Sequence, residues 1–332
     1  MPELRQNIAT KEWVIISTER AKRPEDFKTT KEKKEIPSWS EKCPFCPGNE
    51  KMAPLATFEL KDEKGNWKTR CIPNKFPAVS MEGSLERTVD GIIRKMSGVG
   101  IHEVIIETPI HNTNLALLSE HEVGGIIYTY RNRYLTASKD ERIKIIILFK
   151  NHGIAAGTSI EHPHSQLIAV PIVPHNIRFR NEEALRYYDE TGECVFCKML
   201  NDELKFKERI VLETGSFVCF VPYAGLSPFH MWIIPRKHNA SFGNITDSEI
   251  SDLAKNLKII LSKMYYGLNN PDYNLVFRSA AVGDENEDYF HWYIAIVPRL
   301  IKQAGFELGS GIYVNPTYPE ENAKFLREIK IY

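Results

Sequence analysis

Two histidines separated by one proline are the residues of this sequence best suited to chemistry. They are His162 and His164, with Pro163 between them. In a strand, residues two apart point to the same face, and a proline favours an extended conformation for the residue before it. A neutral imidazole can serve as a nucleophile or a base near pH 7. The alternative is two surface histidines on an edge strand.

Small residues and two apolar runs surround this pair. Gly153 and Gly157 precede the histidines, and glycines let backbone N–H groups approach an anion closely. The run ERIKIIILF, residues 141–149, is typical of a buried strand, and LIAVP, residues 167–171, predicts another. These two strands must position the histidines. The sequence therefore predicts histidine chemistry beside a phosphate group.

An internal repeat explains how such strands are arranged. Five pairs of matching type lie 127 residues apart: His111 and His238, Ser119 and Thr246, Glu122 and Glu249, His164 and His291, and Pro171 and Pro298. A serine or threonine three residues before a glutamate is a capping-box pattern, which predicts helices over 120–138 and 247–265. We therefore expect an α+β protein of two tandem units, each an antiparallel sheet with one crossing helix, packed side by side. The units would be residues 1–180 and 181–332.

Two C-x-x-C pairs, one in each half, predict two metal sites. Zinc commonly takes four nitrogen or sulfur ligands, and a C-x-x-C turn supplies two of them. The expected ligands in the first half are Cys43, Cys46, His111 and one of His162 and His164. Those in the second half are Cys194, Cys197, His238 and His291. The alternative is reduced core cysteines, although exposed knuckles flanked by proline and glycine are poor core positions. We expect zinc at one or both sites, with iron as the alternative at the second.

Composition excludes several classes of function. The chain has 332 residues, no formal net charge, and 42% hydrophobic and 26% charged residues. A neutral balance indicates no general attraction to nucleic acid or anionic lipid. No apolar run is long enough to span a bilayer, and the N-terminus lacks a signal-peptide core. We expect a cytoplasmic protein with no nucleic-acid or membrane partner.

Several segments resemble one known family. Residues 162–166, HPHSQ, resemble the H-P-H-x-Q signature of the galactose-1-phosphate uridylyltransferases, in the histidine-triad superfamily. The blocks RQNIATKEWVIISTERAKRP, CPFCPGNE, PNKFPA, ETPIHN and NHGIAAGTSIEHPHSQ also resemble blocks of that family, in the same order. The resemblance extends along nearly the whole chain. It implies two histidine-triad-like units.

The resemblance also implies a double displacement. His164 would attack the α-phosphorus of a nucleoside diphosphate sugar and release the sugar 1-phosphate. A sugar 1-phosphate or phosphate would then attack the covalent nucleotidyl-histidine. Pre-placed donors must hold the charge of the transferring phosphoryl group. The positions that match the family's donors are Gln166, Ser159, Asn151 and Gly157.

Further positions carry over from the same resemblance. His162 matches the zinc ligand that joins Cys43, Cys46 and His111. Asn74 and Arg20 match positions near the nucleotide, and Glu307 matches the glutamate that holds the hexose. Family members form homodimers whose active sites can draw on both chains, so we expect a homodimer.

The C-terminal segment departs from the best-known bacterial members. Phe306 stands where they have a tyrosine, and Ile301 aligns with their lysine. The segments GFELGSG and YVNPTYPEENA look more like the branch that includes the plant ADP-glucose phosphorylases, in which phosphate can be the acceptor. The leading interpretation is transfer of UMP between glucose and galactose 1-phosphates. The alternative of the same chemistry is an ADP-glucose phosphorylase.

Two further classes compete with these transferases. A nucleotide hydrolase of the histidine-triad type would pass the nucleotidyl group to water, but a third histidine is expected where Gln166 stands. A zinc-ribbon protein that binds nucleic acid would need interleaved basic and aromatic residues, which this neutral chain lacks.

Overall fold

One continuous antiparallel sheet runs through both halves of the protein. The computed structural model describes residues 1–17, 23–29 and 35–331. In chain order the strands are β1 Glu3–Gln6, β2 Trp13–Ile16, β3 Phe58–Lys61, β4 Trp67–Pro73, β5 Thr88–Asp90, β6 Ile93–Lys95, β7 Ile101–Ile106, β8 Ile145–His152, β9 His164–Val170, β10 Ile210–Glu213, β11 Phe217–Phe220, β12 Met231–Pro235, β13 Tyr273–Arg278, β14 Tyr293–Pro298 and β15 Tyr313–Asn315. Ten of them form the large sheet, in the order β10-β11-β12-β14-β13-β8-β9-β7-β4-β3. The others form a three-stranded sheet, β1-β2-β15, and the hairpin β5-β6.

The large sheet contains the same five-stranded unit twice. The first half contributes β3-β4-β7-β9-β8 and the second β10-β11-β12-β14-β13, each antiparallel throughout and in the same topological order. The units meet where β8 pairs with β13, with Asn151 opposite Asn274. The predicted fold class is confirmed, and the two predicted sheets are joined edge to edge.

One long helix crosses each unit on the same face of the sheet. The helices are α1 Glu120–Ala137, α2 His175–Thr191, α3 Val195–Phe206, α4 Asp247–Leu268, α5 Gly305–Ser310 and α6 Pro319–Glu328. Ser119 with Glu122 caps α1, and Thr246 with Glu249 caps α4, both in the reciprocal hydrogen-bonding pattern that the sequence predicts. The apolar faces of α1 and α4 pack with the sheet into one core. Both crossing helices are therefore confirmed.

Helix α2 was not predicted. The expected boundary between residues 180 and 181 lies inside it, and the position of that boundary stays a prediction. None of the helices in the described ranges has the length and apolar content needed to cross a bilayer.

Strand pairings, taken together with the offset of the helix caps, give the correspondence between the two units. Phe149 lies opposite Gln166 in the first unit, and Val276 lies opposite Ala295 in the second. Val276 follows Phe149 by 127 positions, the same offset as the two helix caps, whereas Ala295 follows Gln166 by 129. The connection between the paired strands is thus two residues longer in the second unit. β9 and β14 therefore correspond with an offset of 129.

This offset corrects the predicted pairing of His164 with His291. His291 corresponds to His162, and Tyr293 corresponds to His164. Independent support comes from the cysteine contacts, because the His162 and His291 imidazoles each contact cysteine sulfur atoms. Sequence spacing alone could not show the longer connection.

Candidate active site and metal centres

His164 is held with one ring nitrogen free for attack. It is the first residue of β9 and is only 8% exposed. Its Nδ1 lies 2.8 Å from the carbonyl oxygen of His162. A carbonyl only accepts, so Nδ1 carries the proton and Nε2 carries the lone pair. Burial lowers the pKa of His164, which favours the neutral ring that a nucleophile requires.

Gln166 stands on the same strand face and is oriented by His102. The backbone N–H of Ala78 donates to His102 Nδ1 at 3.0 Å, so His102 Nε2 carries the proton and donates to Gln166 Oε1 at 2.9 Å. The amide NH₂ of Gln166 then has no hydrogen-bond partner among the described residues and is available to a phosphoryl oxygen. Asn74 also contacts His102, with its Nδ2 3.0 Å from Nε2. From the sequence, His102 is interpreted as a structural histidine because it opens an apolar strand, and its contact with Gln166 gives it a positioning role.

The glycine-containing segment between β8 and β9 forms an ordered loop. Gly153 and Gly157 have φ of 85° and 93°, in the region that favours glycine. The backbone N–H of Ala155 donates to Asp272 Oδ2 at 2.6 Å, and a Cβ on Gly153 would lie 1.9 Å from Asp272 Oδ1. Gly153 is thus required by a contact with the second unit. Gly157 and Ser159 are exposed on the loop.

Asn151 lies at the base of this loop, two residues beyond the Phe149–Gln166 pair along β8. Its Oδ1 accepts from Asn274 Nδ2 at 2.8 Å, which fixes the orientation of its amide. The same Asn274 Nδ2 donates to the carbonyl of Ala156 at 2.9 Å. The second unit therefore orients both Asn151 and the loop.

The roles of two predicted substrate contacts, Arg20 and Glu307, stay predictions. Arg20 lies outside the described residues. Glu307 is in the short helix α5, where its Oε2 accepts from the backbone N–H of Ala304 at 3.0 Å. No hydrogen bond within the described chain joins Glu307 to the other predicted site residues, so its role stays a prediction.

A buried ionic network lies behind the nucleophile. Lys150 Nζ donates to Glu107 Oε2 at 2.6 Å and to the carbonyl oxygen of His164 at 3.1 Å. The hydroxyls of Tyr130 and Ser165 each donate to Glu107 Oε1 at 2.5 Å. Burial alone would raise the pKa of Glu107, but the Lys150 ammonium and these hydrogen bonds hold it below its ordinary value. The charged pair fixes the backbone of His164, and the sequence did not indicate it.

The first predicted metal site is a compact group of four buried residues. The ligand atoms of Cys43, Cys46, His111 and His162 all lie within 4.8 Å of one another. His162 Nδ1 lies 3.7 Å from Cys43 Sγ and 3.6 Å from Cys46 Sγ, and His111 Nδ1 lies 3.4 Å from Cys46 Sγ. A tetrahedral zinc with ordinary bond lengths gives sulfur–nitrogen separations of about 3.6 Å. The four residues fit the ion.

The surroundings of this site also fit a metal. His162 Nε2 donates to the carbonyl of Thr108 at 2.7 Å, which leaves Nδ1 unprotonated and facing the sulfur atoms. The expectation of an exposed cysteine knuckle is wrong, because Cys43 and Cys46 are 6% and 1% exposed. They are buried because the knuckle packs against β4 and β7 through Phe45, Ile72 and neighbouring apolar residues.

The second predicted site is less regular. Cys194, Cys197 and His238 form a compact group, in which Cys197 Sγ lies 3.2 Å from His238 Nδ1. His291 Nδ1 also lies 3.3 Å from Cys197 Sγ, but His291 stands outside the compact group. Its Nε2 is buried and has no partner in the described chain, unlike that of His162. The cysteines are not in a loop knuckle, because Cys194 caps α3 and Cys197 lies in its first turn.

Substituting Cys46 by serine is expected to remove one equivalent of metal per chain and to lower the unfolding temperature, because a structural metal contributes directly to folding. Elemental analysis of the purified protein measures the loss. Cys71→Ala is the matched control, because Cys71 is a buried thiol outside both groups. Equal metal content in the Cys46 variant and the wild type would contradict the first site.

Two family models match most of this chain. A family model for the N-terminal domain of galactose-1-phosphate uridyl transferase matches residues 1–174. A second, for the C-terminal domain, matches residues 180–317. Together the two models cover nearly all of the chain.

Individual relatives carry the names of two different enzymes. An ADP-glucose phosphorylase of Arabidopsis thaliana is 38% identical over 99% of this chain and 93% of its own length. A galactose-1-phosphate uridylyltransferase of Thermotoga maritima is 29% identical over 100% of this chain and 99% of its own. A crystal structure of the A. thaliana ADP-glucose phosphorylase with bound ADP-glucose matches with a TM-score of 0.84 and 34% identity, covering 100% of both chains.

Proposed function

Because this chain belongs to the galactose-1-phosphate uridyl transferase family, we propose that His164 carries a nucleotidyl group from a nucleoside diphosphate sugar to a phosphate-bearing acceptor. The observation that carries the proposal is the His164 ring, whose Nδ1 is fixed on the His162 carbonyl and whose Nε2 has no hydrogen-bond partner among the described residues. That arrangement suits a nucleophile.

The reaction has two displacements. His164 Nε2 attacks the α-phosphorus, a P–N bond forms, and the bond to the bridging oxygen breaks to release the sugar 1-phosphate. An oxygen of the acceptor then attacks the same phosphorus, and the P–N bond breaks. The His162 carbonyl stabilises the positive charge that the ring gains in the intermediate. The Gln166 amide, Asn151, the backbone at Gly157 and Ser159 would hold the phosphoryl oxygens.

A metal at the first site would stabilise the segment that carries His164. Cys43, Cys46, His111 and His162 would hold zinc, which supplies rigidity and not a reacting group. His162 would then have two roles, because its ring would bind the metal while its carbonyl orients His164. Zinc or iron at the second site would be structural, since no free imidazole stands beside it at the position of Tyr293.

Two substrates fit the same chemistry, and the comparisons favour adenylyl transfer. Identity to the A. thaliana ADP-glucose phosphorylase is 38%, against 29% to the T. maritima uridylyltransferase. The C-terminal segment with Phe306 and Ile301 supports the same branch. We therefore place ADP-glucose with phosphate as acceptor first. UDP-glucose with galactose 1-phosphate as acceptor is second, supported by the family that the domain models describe.

Intact-protein mass spectrometry tests the proposal. The protein is incubated briefly with ADP-glucose or with UDP-glucose, without acceptor. We expect a covalent AMP adduct with ADP-glucose that inorganic phosphate discharges. A UMP adduct that galactose 1-phosphate discharges would support the second substrate. No adduct with either nucleotide sugar would contradict nucleotidyl transfer through His164.

The proposal extends to assembly and compartment. We propose a homodimer, because Glu307 has no hydrogen bond to the other predicted site residues within the described chain, and a second copy would bring its own Glu307 to this site. A monomer in analytical ultracentrifugation would contradict this. We place the enzyme in the cytoplasm, where reduced cysteines are the rule, since all six cysteines are free thiols. Localisation of the tagged full-length chain to another compartment would contradict that placement.

A further inference from the structure

The second unit has a pocket at the position that His164 occupies in the first. Arg278 on β13 lies opposite Tyr293 on β14, and the offsets of 127 and 129 map these residues onto Asn151 and His164. Both residues line the pocket. Helix α2 forms another wall through Ile177, Arg180 and Asn181.

The walls of this pocket carry more positive than negative charge. Arg180 donates to Glu12 Oε1 at 3.0 Å, so one guanidinium is paired. Arg278 has no hydrogen bond or ion pair with any residue that the structure describes. Burial and the neighbouring Arg180 lower the pKa of Arg278, while Tyr293 and the Glu12 carboxylate oppose that shift. Two guanidinium groups therefore share one carboxylate, and the partly buried Arg278 is the one without a direct hydrogen bond to it.

An unpaired buried charge is costly, and a bound anion would offset that cost. Arginine suits oxyanions because its planar fork can donate two parallel hydrogen bonds. The pocket opens to solvent, so an anion can reach Arg278 and Arg180 through its mouth. Burial raises the pKa of Tyr293, so its neutral hydroxyl can also donate.

We propose that the second unit binds a phosphate-type oxyanion, either inorganic phosphate or the phosphate group of a sugar phosphate, between Arg278 and Arg180. The site is a binding site only, because Tyr293 replaces the nucleophilic histidine. Duplication has thus produced one unit that carries the histidine and one that keeps a phosphate pocket at the same place. The proposal does not depend on which nucleotide sugar reacts at His164.

Anomalous diffraction locates the anion. Crystals of the full chain are soaked in arsenate, an isostere of phosphate with a strong anomalous signal. We expect an arsenic peak within hydrogen-bonding distance of Arg278 and Arg180, whatever else binds near His164. No peak there, or arsenic only at surface sites, would overturn the proposal.

Variants in solution give an independent measurement. Titration calorimetry with inorganic phosphate is expected to show that Arg278→Met weakens one binding event by about tenfold or more, because a charge-assisted pair is lost. Without phosphate, this variant should unfold at the same or a higher temperature than the wild type, since a partly buried charge with no direct partner in the described chain is gone. Arg236→Met is the control, because Arg236 is an exposed arginine of the same unit, paired with Glu213.

Competition identifies the form of the anion. If glucose 1-phosphate displaces arsenate from the pocket, the site takes phosphate monoesters. If only inorganic phosphate displaces it, the site is specific for the free ion. Unchanged phosphate titration in Arg278→Met would overturn the proposal.

Discussion

His164→Ala is expected to abolish formation of the nucleotidyl adduct. The rate of the overall transfer should fall by about 10⁴-fold or more, as for loss of a nucleophile that acts with its partners as a unit. The fold should persist, because within the described chain the imidazole makes a single hydrogen bond, to the His162 carbonyl, and an edge contact to Phe45. Adduct formation is measured by intact mass, and metal content by elemental analysis.

The metal content separates a chemical defect from a structural one. His164 stands outside the compact group of Cys43, Cys46, His111 and His162, so the alanine variant should retain its metal. His121→Ala is the matched control, because His121 is an exposed histidine of helix α1 and should leave adduct formation unchanged. In His164→Gly, added imidazole should restore part of the turnover. Full turnover in His164→Ala would show that another group is the nucleophile.

Local signals in the sequence predicted the framework of the fold well. The capping boxes at Ser119 and Thr246 depend on residues three positions apart, and both helices begin where these patterns place them. The apolar runs before and after residues 151–161 became β8 and β9. The spacing of cysteines and histidines indicated three residues of the first cluster, and the family resemblance supplied the fourth, His162.

The features that were missed depend on contacts between distant segments. Asn274 and Asp272 orient the loop of the first unit across the β8–β13 boundary, and no pattern near residue 151 indicates them. The burial of Cys43 depends on how the knuckle packs against the sheet. The His164–His291 register was wrong because two extra residues in a connection shift one strand and not its neighbour. A constant spacing between repeated residues cannot show whether one strand of a pair has shifted by two residues.

Comparison of the two units indicates the role of the buried Glu107–Lys150 network behind His164. The pairings of β7 with β9 and of β12 with β14 map β7 onto β12 with an offset of 128. With 127 for α1 and β8 and 129 for β9, the positions in the second unit that correspond to Glu107, Tyr130, Lys150 and Ser165 are Pro235, Leu257, Phe277 and Ile294. Leu257, Phe277 and Ile294 belong to the apolar core. The same fold is therefore built without charges where no nucleophile is present. Since a buried ion pair is rarely more stabilising than well-packed apolar residues, the first unit keeps its pair for positioning His164.

Lys150→Met is accordingly expected to be the most destabilising single change in this network. It would leave the Glu107 carboxylate buried without a counter-charge, which lowers the free energy of unfolding by about 3–5 kcal/mol. Urea denaturation followed by fluorescence measures the loss. Lys198→Met is the matched control, because Lys198 pairs with Asp202 on an exposed helix surface and should cause little change.

The double variant Glu107→Leu/Lys150→Met separates stability from positioning. It resembles the apolar arrangement of the second unit, so it should regain most of the stability that the single change loses. Adduct formation should nevertheless be slower than in the wild type in both the single and the double variant. In both, the carbonyl of His164 has lost the Lys150 ammonium that holds it. Equal instability of the double and single variants would contradict the apolar-replacement argument. Wild-type adduct formation in the double variant would show that the pair does not position His164.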